Sequence, residues 1–275
     1  MGYKTILVQV DNEARSAARV QMAAELAVRY GAHLVGLHAV GPTTGAYRMV
    51  NPGPAVIDQQ IERAQAQGAA ARERFDALAD KAGAGSIEWR ISTEDAVAAV
   101  VLHARYSDLV LLGQPGPAAE GGADAGFVRG AVLAAGRPVL LVPYAGTYPP
   151  PGRKVMVAWN AGREATRAVT DSLPILKAAD EVTVVVVRPE GSAHGDVPGA
   201  EIGKYLTRHG VKVRVDLVHA REVDVGNLLL SRASDLSSDL VVLGAYGHSR
   251  FSELVLGGVT RTMLESMTVP VLMSH

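Results

Sequence analysis

The sequence predicts an α/β fold made of two tandem domains, each built on a doubly wound parallel sheet. Short apolar runs alternate with amphipathic segments along all 275 residues, a pattern typical of repeated strand–helix–strand units. Three segments of the first half also recur in the same order in the second half, which indicates a duplication. The length suits two domains, and a content of 48% hydrophobic and 20% charged residues is typical of a globular chain.

In the first half, predicted strands alternate with predicted helices. The strands are short apolar runs, as expected of strands that are covered on both faces. The first helix places apolar residues at Ala18, Met22 and Leu26, which is a helical spacing. We predict strands at 4–10, 33–40, 86–92, 108–113 and 138–143. We predict helices at 13–30, 56–82, 93–105 and 124–135.

The second half repeats this order. The matching segments are 5–11 with 154–160, 108–113 with 239–244, and 137–142 with 269–274. We predict strands at 154–159, 181–188, 211–218, 239–244 and 270–274. We predict helices at 162–178, 198–209, 222–236 and 251–267. The proline and glycine content of 144–152 indicates a semi-rigid linker, so we expect domains at 1–146 and 150–275.

The composition narrows the classes of function. A net charge of −1 provides no basic excess that would favour nucleic acid or an anionic membrane surface. The absence of cysteine excludes disulfides, a thiolate nucleophile and cysteine-ligated metal sites. No apolar run approaches the roughly 20 residues of a transmembrane helix, and the N-terminus lacks the pattern of a signal peptide. We expect a cytoplasmic protein that binds neither nucleic acid nor a membrane.

A glycine-rich loop at 244–260 follows the fourth strand of the second half and is the main candidate for ligand chemistry. Its pattern is G-x2-G-x9-G-G-V-T, and a helical stretch follows it. Glycines let a backbone approach a phosphate closely, and free N–H groups at a helix start attract anions. Thr260 would add a hydroxyl donor and Arg250 a charged one. A plainer interpretation is that Gly244 and Gly247 only turn a strand into a helix.

The loop, the duplication and the strand ends resemble those of the universal stress protein family, over nearly the whole chain. ATP-binding members of that family carry G-x2-G-x9-G-[S/T] after the fourth strand and an acidic residue after the first. The resemblance implies a nucleotide site in the second half, made of Asn160, Val187, Gly244, Gly247, His248, Ser249, Arg250, Gly257, Gly258, Val259 and Thr260. Asn160 stands where aspartate is usual, and Gly258 where serine or threonine is usual. Asn160 is also open to a second interpretation, as the N-cap of the following helix.

The first half departs from the family pattern in the opposite way. It keeps the acidic residue Asp11, and its loop keeps the glycine spacing at Gly113 and Gly116. Two prolines in that loop remove N–H donors, two acidic residues repel phosphate, and Phe127 replaces the serine or threonine. The first half is therefore expected to carry a degenerate second site.

The resemblance also implies the fold, the ligand and the partners. It implies Rossmann-like, adenine-nucleotide-hydrolase-like domains with strand order 3-2-1-4-5. The implied ligand is an adenine nucleotide (ATP, ADP or AMP), with Mg²⁺ left open, and the implied role lies in the stress response. The last strands, 138–143 and 270–274, are expected to pair within the chain as an internal pseudo-dimer, and a homodimer stays open.

Two alternatives to a nucleotide-binding stress protein stay open. The first is a stress scaffold that binds no nucleotide, or binds another small ligand, because Asn160 and Gly258 have changed. The second is a hydrolase, which we rank last because no nucleophile and base are evident and the histidines show no metal-ligand spacing. We therefore predict no catalytic residue, no metal site and at most slow ATP hydrolysis.

Overall fold

A computed structural model describes residues 2–13, 15–39, 54–116, 125–189, 199–220, 224–247 and 258–275. The chain divides into two compact units, Gly2–Arg137 and Pro138–His275. Each unit combines strands and helices in alternation, as the apolar and amphipathic segments predict.

The unit Gly2–Arg137 contains a parallel sheet flanked by helices. Its elements are β1 (Thr5–Gln9), α1 (Ser16–Tyr30), β2 (His33–Ala39), α2 (Pro54–Ala82), β3 (Ile87–Ser92), α3 (Ala96–Ala104), β4 (Leu109–Gly113) and α4 (Ala125–Ala134). The strand order is β3-β2-β1-β4, with Ile6 of β1 opposite Leu34 on one side and Leu109 on the other. All five residues of β4 are buried, as expected of a strand covered on both faces.

The unit Pro138–His275 holds the remaining elements. They are β5 (Val139–Val142), β6 (Lys154–Trp159), α5 (Arg163–Ala178), β7 (Glu181–Pro189), α6 (Ala200–Arg208), β8 (Val213–Ala220), α7 (Val225–Asp235), β9 (Leu240–Gly244), α8 (Gly258–Ser266) and β10 (Val271–Ser274). The strand order is β10-β9-β6-β7-β8. When β6 to β10 are counted as the first to fifth strands of the second half and the order is read from β8, it is the predicted 3-2-1-4-5. β5 pairs with β10 in the antiparallel sense, with Leu140 opposite Leu272, so the strand pairing implied by the family resemblance is present.

The predicted elements agree closely with the structure. Each predicted strand and helix is present, and the observed ends lie within three residues of the predicted ones, apart from the start of the last helix. That helix, α8, was expected to begin at residue 251 and is described from Gly258, because 248–257 lie outside the described residues. The agreement follows from strands that are apolar throughout, which makes their limits visible in the sequence.

Two equivalent aspartates hold the first strand of each half to its fourth strand. Asp108 precedes β4, and its Oδ2 accepts hydrogen bonds from the backbone N–H groups of Lys4 (2.7 Å) and Thr5 (3.0 Å). Asp239 precedes β9, and its carboxylate accepts from the N–H groups of Gly152, Arg153 and Lys154 at 2.9 to 3.2 Å. The duplication therefore extends from the sequence to a shared side-chain contact, and we call these residues the strand clamps.

Removing a strand clamp tests its contribution to stability. Replacing Asp239 by alanine is expected to lower the free energy of unfolding by about 2 kcal/mol, because hydrogen bonds to a charged group contribute about 1.5–3 kcal/mol. The measurement is urea-induced unfolding followed by circular dichroism. The control is Asp235→Ala, which removes a carboxylate that is 61% exposed and whose Oδ2 lies 3.6 Å from Arg232 Nη1. Equal effects of the two substitutions would contradict a clamping role.

Candidate functional site

The candidate site of the second half lies at the carboxyl edge of its sheet, where ligands of open α/β sheets bind. Trp159, the last residue of β6, is opposite Val186 of β7, so Asn160 and Val187 follow at the same edge. On the other side of β6, Ala158 is opposite Leu243 of β9, which brings Gly244 to that edge as well. The strand order thus gathers predicted site residues that are far apart in the sequence.

Gly244 and Gly247 lie against the first turn of α5. A Cβ on Gly244 would sit 2.5 Å from the backbone carbonyl carbon of Glu164, and one on Gly247 would sit 2.9 Å from Glu164 Oε2. Neither glycine has a positive φ, whereas Tyr246 between them has φ 57°. Close approach of the loop to α5 therefore explains Gly244 and Gly247, and Tyr246 between them adopts a left-handed backbone conformation.

The two described arms of the glycine-rich loop, 244–247 and 258–260, meet at Thr260. Its Oγ1 accepts a hydrogen bond from the backbone N–H of Tyr246 at 3.2 Å, and the residue is only 3% exposed. Gly258 is the first described residue of α8 and is followed by Val259. Four predicted site residues, His248, Ser249, Arg250 and Gly257, lie outside the described residues.

Asn160 shapes the entry to α5. Its Oδ1 accepts a hydrogen bond from the backbone N–H of Gly162 at 2.9 Å, and Ala161 between them has φ 58°. The N-cap of α5 is Gly162, so the interpretation of Asn160 as the cap is wrong: Asn160 lies two residues before the cap and forms an Asx turn with it. The side chain is exposed and its amide nitrogen still offers donors at the sheet edge.

Two carboxylates that the sequence analysis did not single out stand beside the loop. Glu164 is 9% exposed, and its Oε1 pairs with Arg163 Nη2 at 3.0 Å. Asp224 caps α7 by accepting from the N–H of Asn227 at 3.1 Å, and its Oδ1 lies 3.6 Å from the position of a Cβ on Gly258. The sequence contained one signal for these carboxylates, because Glu164 falls in the first turn of the helix that follows a predicted strand end. Within the described ranges, no three histidine or acidic side chains converge as a metal site.

In the first half, the Asp11 carboxylate is bound by Arg19 of α1, the helix that follows it. Its Oδ2 accepts from Arg19 Nη2 at 2.7 Å and from Gln9 Nε2 at 3.2 Å, while Oδ1 accepts from the N–H of Glu13 at 3.1 Å. Arg19 is 3% exposed, and its Nε donates to the Gln9 carbonyl at 2.7 Å. Burial, and after it the charge of Asp11, raises the pKa of Glu13. The acidic position is therefore held in a buried ion pair, which the helical pattern of α1 alone did not reveal.

The remaining first-half positions differ from their second-half counterparts. Arg19 Nη1 lies 2.5 Å from the position of a Cβ on Gly113, so the guanidinium fills the space beneath that glycine. A Cβ on Gly116 would meet nothing within 4 Å, so nothing among the described atoms requires a glycine there. Phe127 is buried in the first turn of α4, at 3% exposure.

Comparison with known proteins identifies the family. The model of the universal stress protein family matches residues 2–143 and again 152–275. The chain belongs to the universal stress protein family. Because each half matches separately, it is a tandem member. The match agrees with the duplication and with the strand order of the second half.

Individual relatives fit this family assignment. Universal stress protein Slr1230 of Synechocystis sp. is 34% identical over 93 residues, which are 33% of this chain and only 30% of that protein's length. The crystal structure of a universal stress protein from Archaeoglobus fulgidus aligns with a TM-score of 0.73 at 14% identity, covering 98% of this chain and 95% of that one. Protein PA1789 of Pseudomonas aeruginosa aligns with a TM-score of 0.59 at 14% identity, covering 99% and 92%. At this identity the structures show the shared fold alone.

Proposed function

We propose that this universal stress protein binds an adenine nucleotide (ATP, ADP or AMP) in its second half and acts in the regulation of the stress response. The observation that carries the proposal is the meeting of the two loop arms at one sheet edge. Thr260 joins the Gly244–Gly247 arm to the start of α8 through the N–H of Tyr246. Free N–H groups at a helix start, beside a glycine backbone, suit a phosphate.

The roles of individual residues follow from their places. Asn160, which follows β6, and Val187, near the end of the adjacent strand β7, are proposed to contact the nucleoside. The backbone N–H groups of Gly247, Gly257 and Gly258 are proposed to hold phosphate, with His248, Ser249 and Arg250 nearby. Gly244, Val259 and Thr260 would shape the loop. Mg²⁺ would enter together with the nucleotide if it enters at all.

The first half is proposed to bind no nucleotide, although Asp11, Gly113 and Gly116 keep the family spacing. The ion pair between Asp11 and Arg19 supports this proposal, because a buried carboxylate with internal partners has little capacity left for a ribose hydroxyl. Phe127 supports it further, since a buried phenyl ring stands where a hydroxyl is usual.

Thermal unfolding in the presence of nucleotides tests the proposal. A nucleotide at 100 times its dissociation constant is expected to raise the free energy of unfolding by about 2.7 kcal/mol. Gly247→Val should abolish the shift, because its side chain enters space beside the loop that Glu164 Oε2 already limits. Gly116→Val, at the equivalent first-half position, should leave the shift intact. Mass spectrometry of ligand released from freshly purified protein would identify the nucleotide. No shift with any adenine nucleotide at millimolar concentration would overturn the proposal.

A second candidate function is a stress scaffold that binds no nucleotide or takes another small ligand. The observation that favours it is the presence of the Glu164 and Asp224 carboxylates beside the loop, since negative charge opposes a polyphosphate. In either case we propose no catalytic residue, and ATP turnover no faster than a slow background rate.

Location and partners complete the proposal. In the part of the chain that the structure describes, no helix combines the length and the apolar character that a bilayer crossing requires. We propose a cytoplasmic protein with domains at 1–146 and 150–275, in which the pairing of β5 with β10 forms an internal pseudo-dimer. Light scattering, which measures the molar mass in solution, would test further assembly into a homodimer.

A further inference from the structure

We propose that Glu164 makes the second-half site selective for adenine nucleotides with few phosphate charges, so that AMP binds more tightly than ATP in the absence of divalent cations. This inference rests on the proposed function, because it concerns the ligand of the same loop.

The first step is the placement of the Glu164 carboxylate. Oε2 lies 2.9 Å from the position of a Cβ on Gly247, beside the loop arm proposed to hold phosphate. The side chain is 11% exposed, so solvent screens its charge only weakly on the loop side. Any phosphate bound at the Gly247 N–H would therefore lie close to a fixed negative charge.

The second step is that the carboxylate is held where it stands. Glu164 occupies the first turn of α5, where the positive end of the helix dipole stabilises a negative charge. Its partner Arg163 contacts Oε1 and is itself 78% exposed, so the guanidinium charge is well screened by water. The Glu164 carboxylate is therefore a fixed negative charge beside the Gly247 backbone that is proposed to hold phosphate.

The third step is a second negative charge on the opposite arm. Asp224 Oδ1 lies 3.6 Å from the position of a Cβ on Gly258, at the start of α8. Asp224 also accepts hydrogen bonds from Asn227 N–H and from Thr262 Oγ1, which fix its carboxylate. Both described ends of the loop therefore carry an acidic neighbour, and each added phosphate charge increases the repulsion.

Isothermal titration of the full chain with AMP, ADP and ATP, in EDTA at low ionic strength, tests the inference. The wild-type protein is expected to bind AMP more tightly than ATP. Glu164→Gln keeps the shape of the side chain and removes its charge, and it should raise ATP affinity by about tenfold while changing AMP affinity much less. Added salt should narrow the wild-type gap between the two nucleotides by screening. Asp224→Asn keeps the helix cap and should act in the same direction.

The control is Glu201→Gln, because Glu201 also lies in the first turn of a helix and also pairs with a neighbouring cation, Lys204. It should change neither affinity. An unchanged ratio of ATP to AMP affinity in both Glu164→Gln and Asp224→Asn would overturn the inference and leave nucleotide binding standing. Absence of binding to any nucleotide in the wild type and in all variants would instead overturn the proposed function together with the inference.

Discussion

Replacing Arg19 by leucine is expected to lower the free energy of unfolding of the unit Gly2–Arg137 by about 3–5 kcal/mol, because it leaves a buried carboxylate without its cation. Arg19 is 3% exposed and Asp11 has an 11% exposed side chain, so neither charge is well solvated once its partner is gone. The guanidinium also bonds the Gln9 carbonyl at 2.7 Å, and that acceptor would lose its side-chain donor.

Urea-induced unfolding of the full chain measures this effect, with the earliest transition assigned by hydrogen exchange. The matched control is Arg72→Leu on α2, whose guanidinium is 62% exposed and pairs with Asp76 at 3.4 Å. It should change stability by no more than about 0.5 kcal/mol. Adding Asp11→Asn to Arg19→Leu should recover part of the loss, because the unpaired charge is then removed. A loss below 1 kcal/mol for Arg19→Leu alone would contradict the importance of the pair.

Gly244→Ala is expected to lower the free energy of unfolding of the other unit by about 3 kcal/mol, at the upper end of the usual range for overpacking. The added Cβ would sit 2.5 Å from a backbone carbon of Glu164, so the α5 backbone itself would have to move. A flexible side chain can turn away from a new methyl group, whereas a helix turn packed on a strand cannot.

Gly116→Ala is the control for Gly244→Ala, because Gly116 lies in the corresponding loop of the first half and no described atom lies within 4 Å of the new Cβ. Its effect should be within about 0.5 kcal/mol, and a small stabilisation is expected from the reduced entropy of the unfolded chain. Urea midpoints of the two variants provide the comparison. A neutral Gly244→Ala would show that α5 does not approach the strand as closely as described.

Much of the fold could be predicted from the sequence, because buried parallel strands are uninterrupted apolar runs. The strand order also placed Asn160, Val187 and Gly244 at one edge without any knowledge of side-chain contacts. The resemblance to the universal stress protein family supplied the order itself, and the second half confirms it.

The contacts that matter most at the two candidate sites could not be predicted in this way. Asp11 was interpreted as the retained acidic position of the family. Its partner Arg19 lies eight residues later in α1. The helical periodicity of α1 does not distinguish Arg19 from the other polar residues of that helix. Gly244 and Gly247 were expected to bring the backbone close to a phosphate, whereas in the structure they allow close packing of the loop on Glu164, and Tyr246 between them has the positive φ. Both outcomes depend on neighbours that only the folded backbone brings together.

The strand clamps show the same limit. Asp108 and Asp239 begin matching segments, and this was a visible sign of the duplication. Their bonding partners are backbone N–H groups 85 to 104 residues away in the chain, as for Lys154 and Lys4. No local pattern links a carboxylate before one strand to the start of another.

The pairing of β5 with β10 has a consequence for dissecting this protein. β5 precedes the linker, although it packs with the unit Pro138–His275. A fragment that starts after the linker would therefore lose a strand, and the outer edge of β10 would present unpaired backbone groups and the apolar residues Val271, Leu272 and Met273. Such an edge recruits whatever strand it meets, including a second copy of itself. Self-association of that fragment would report a missing strand.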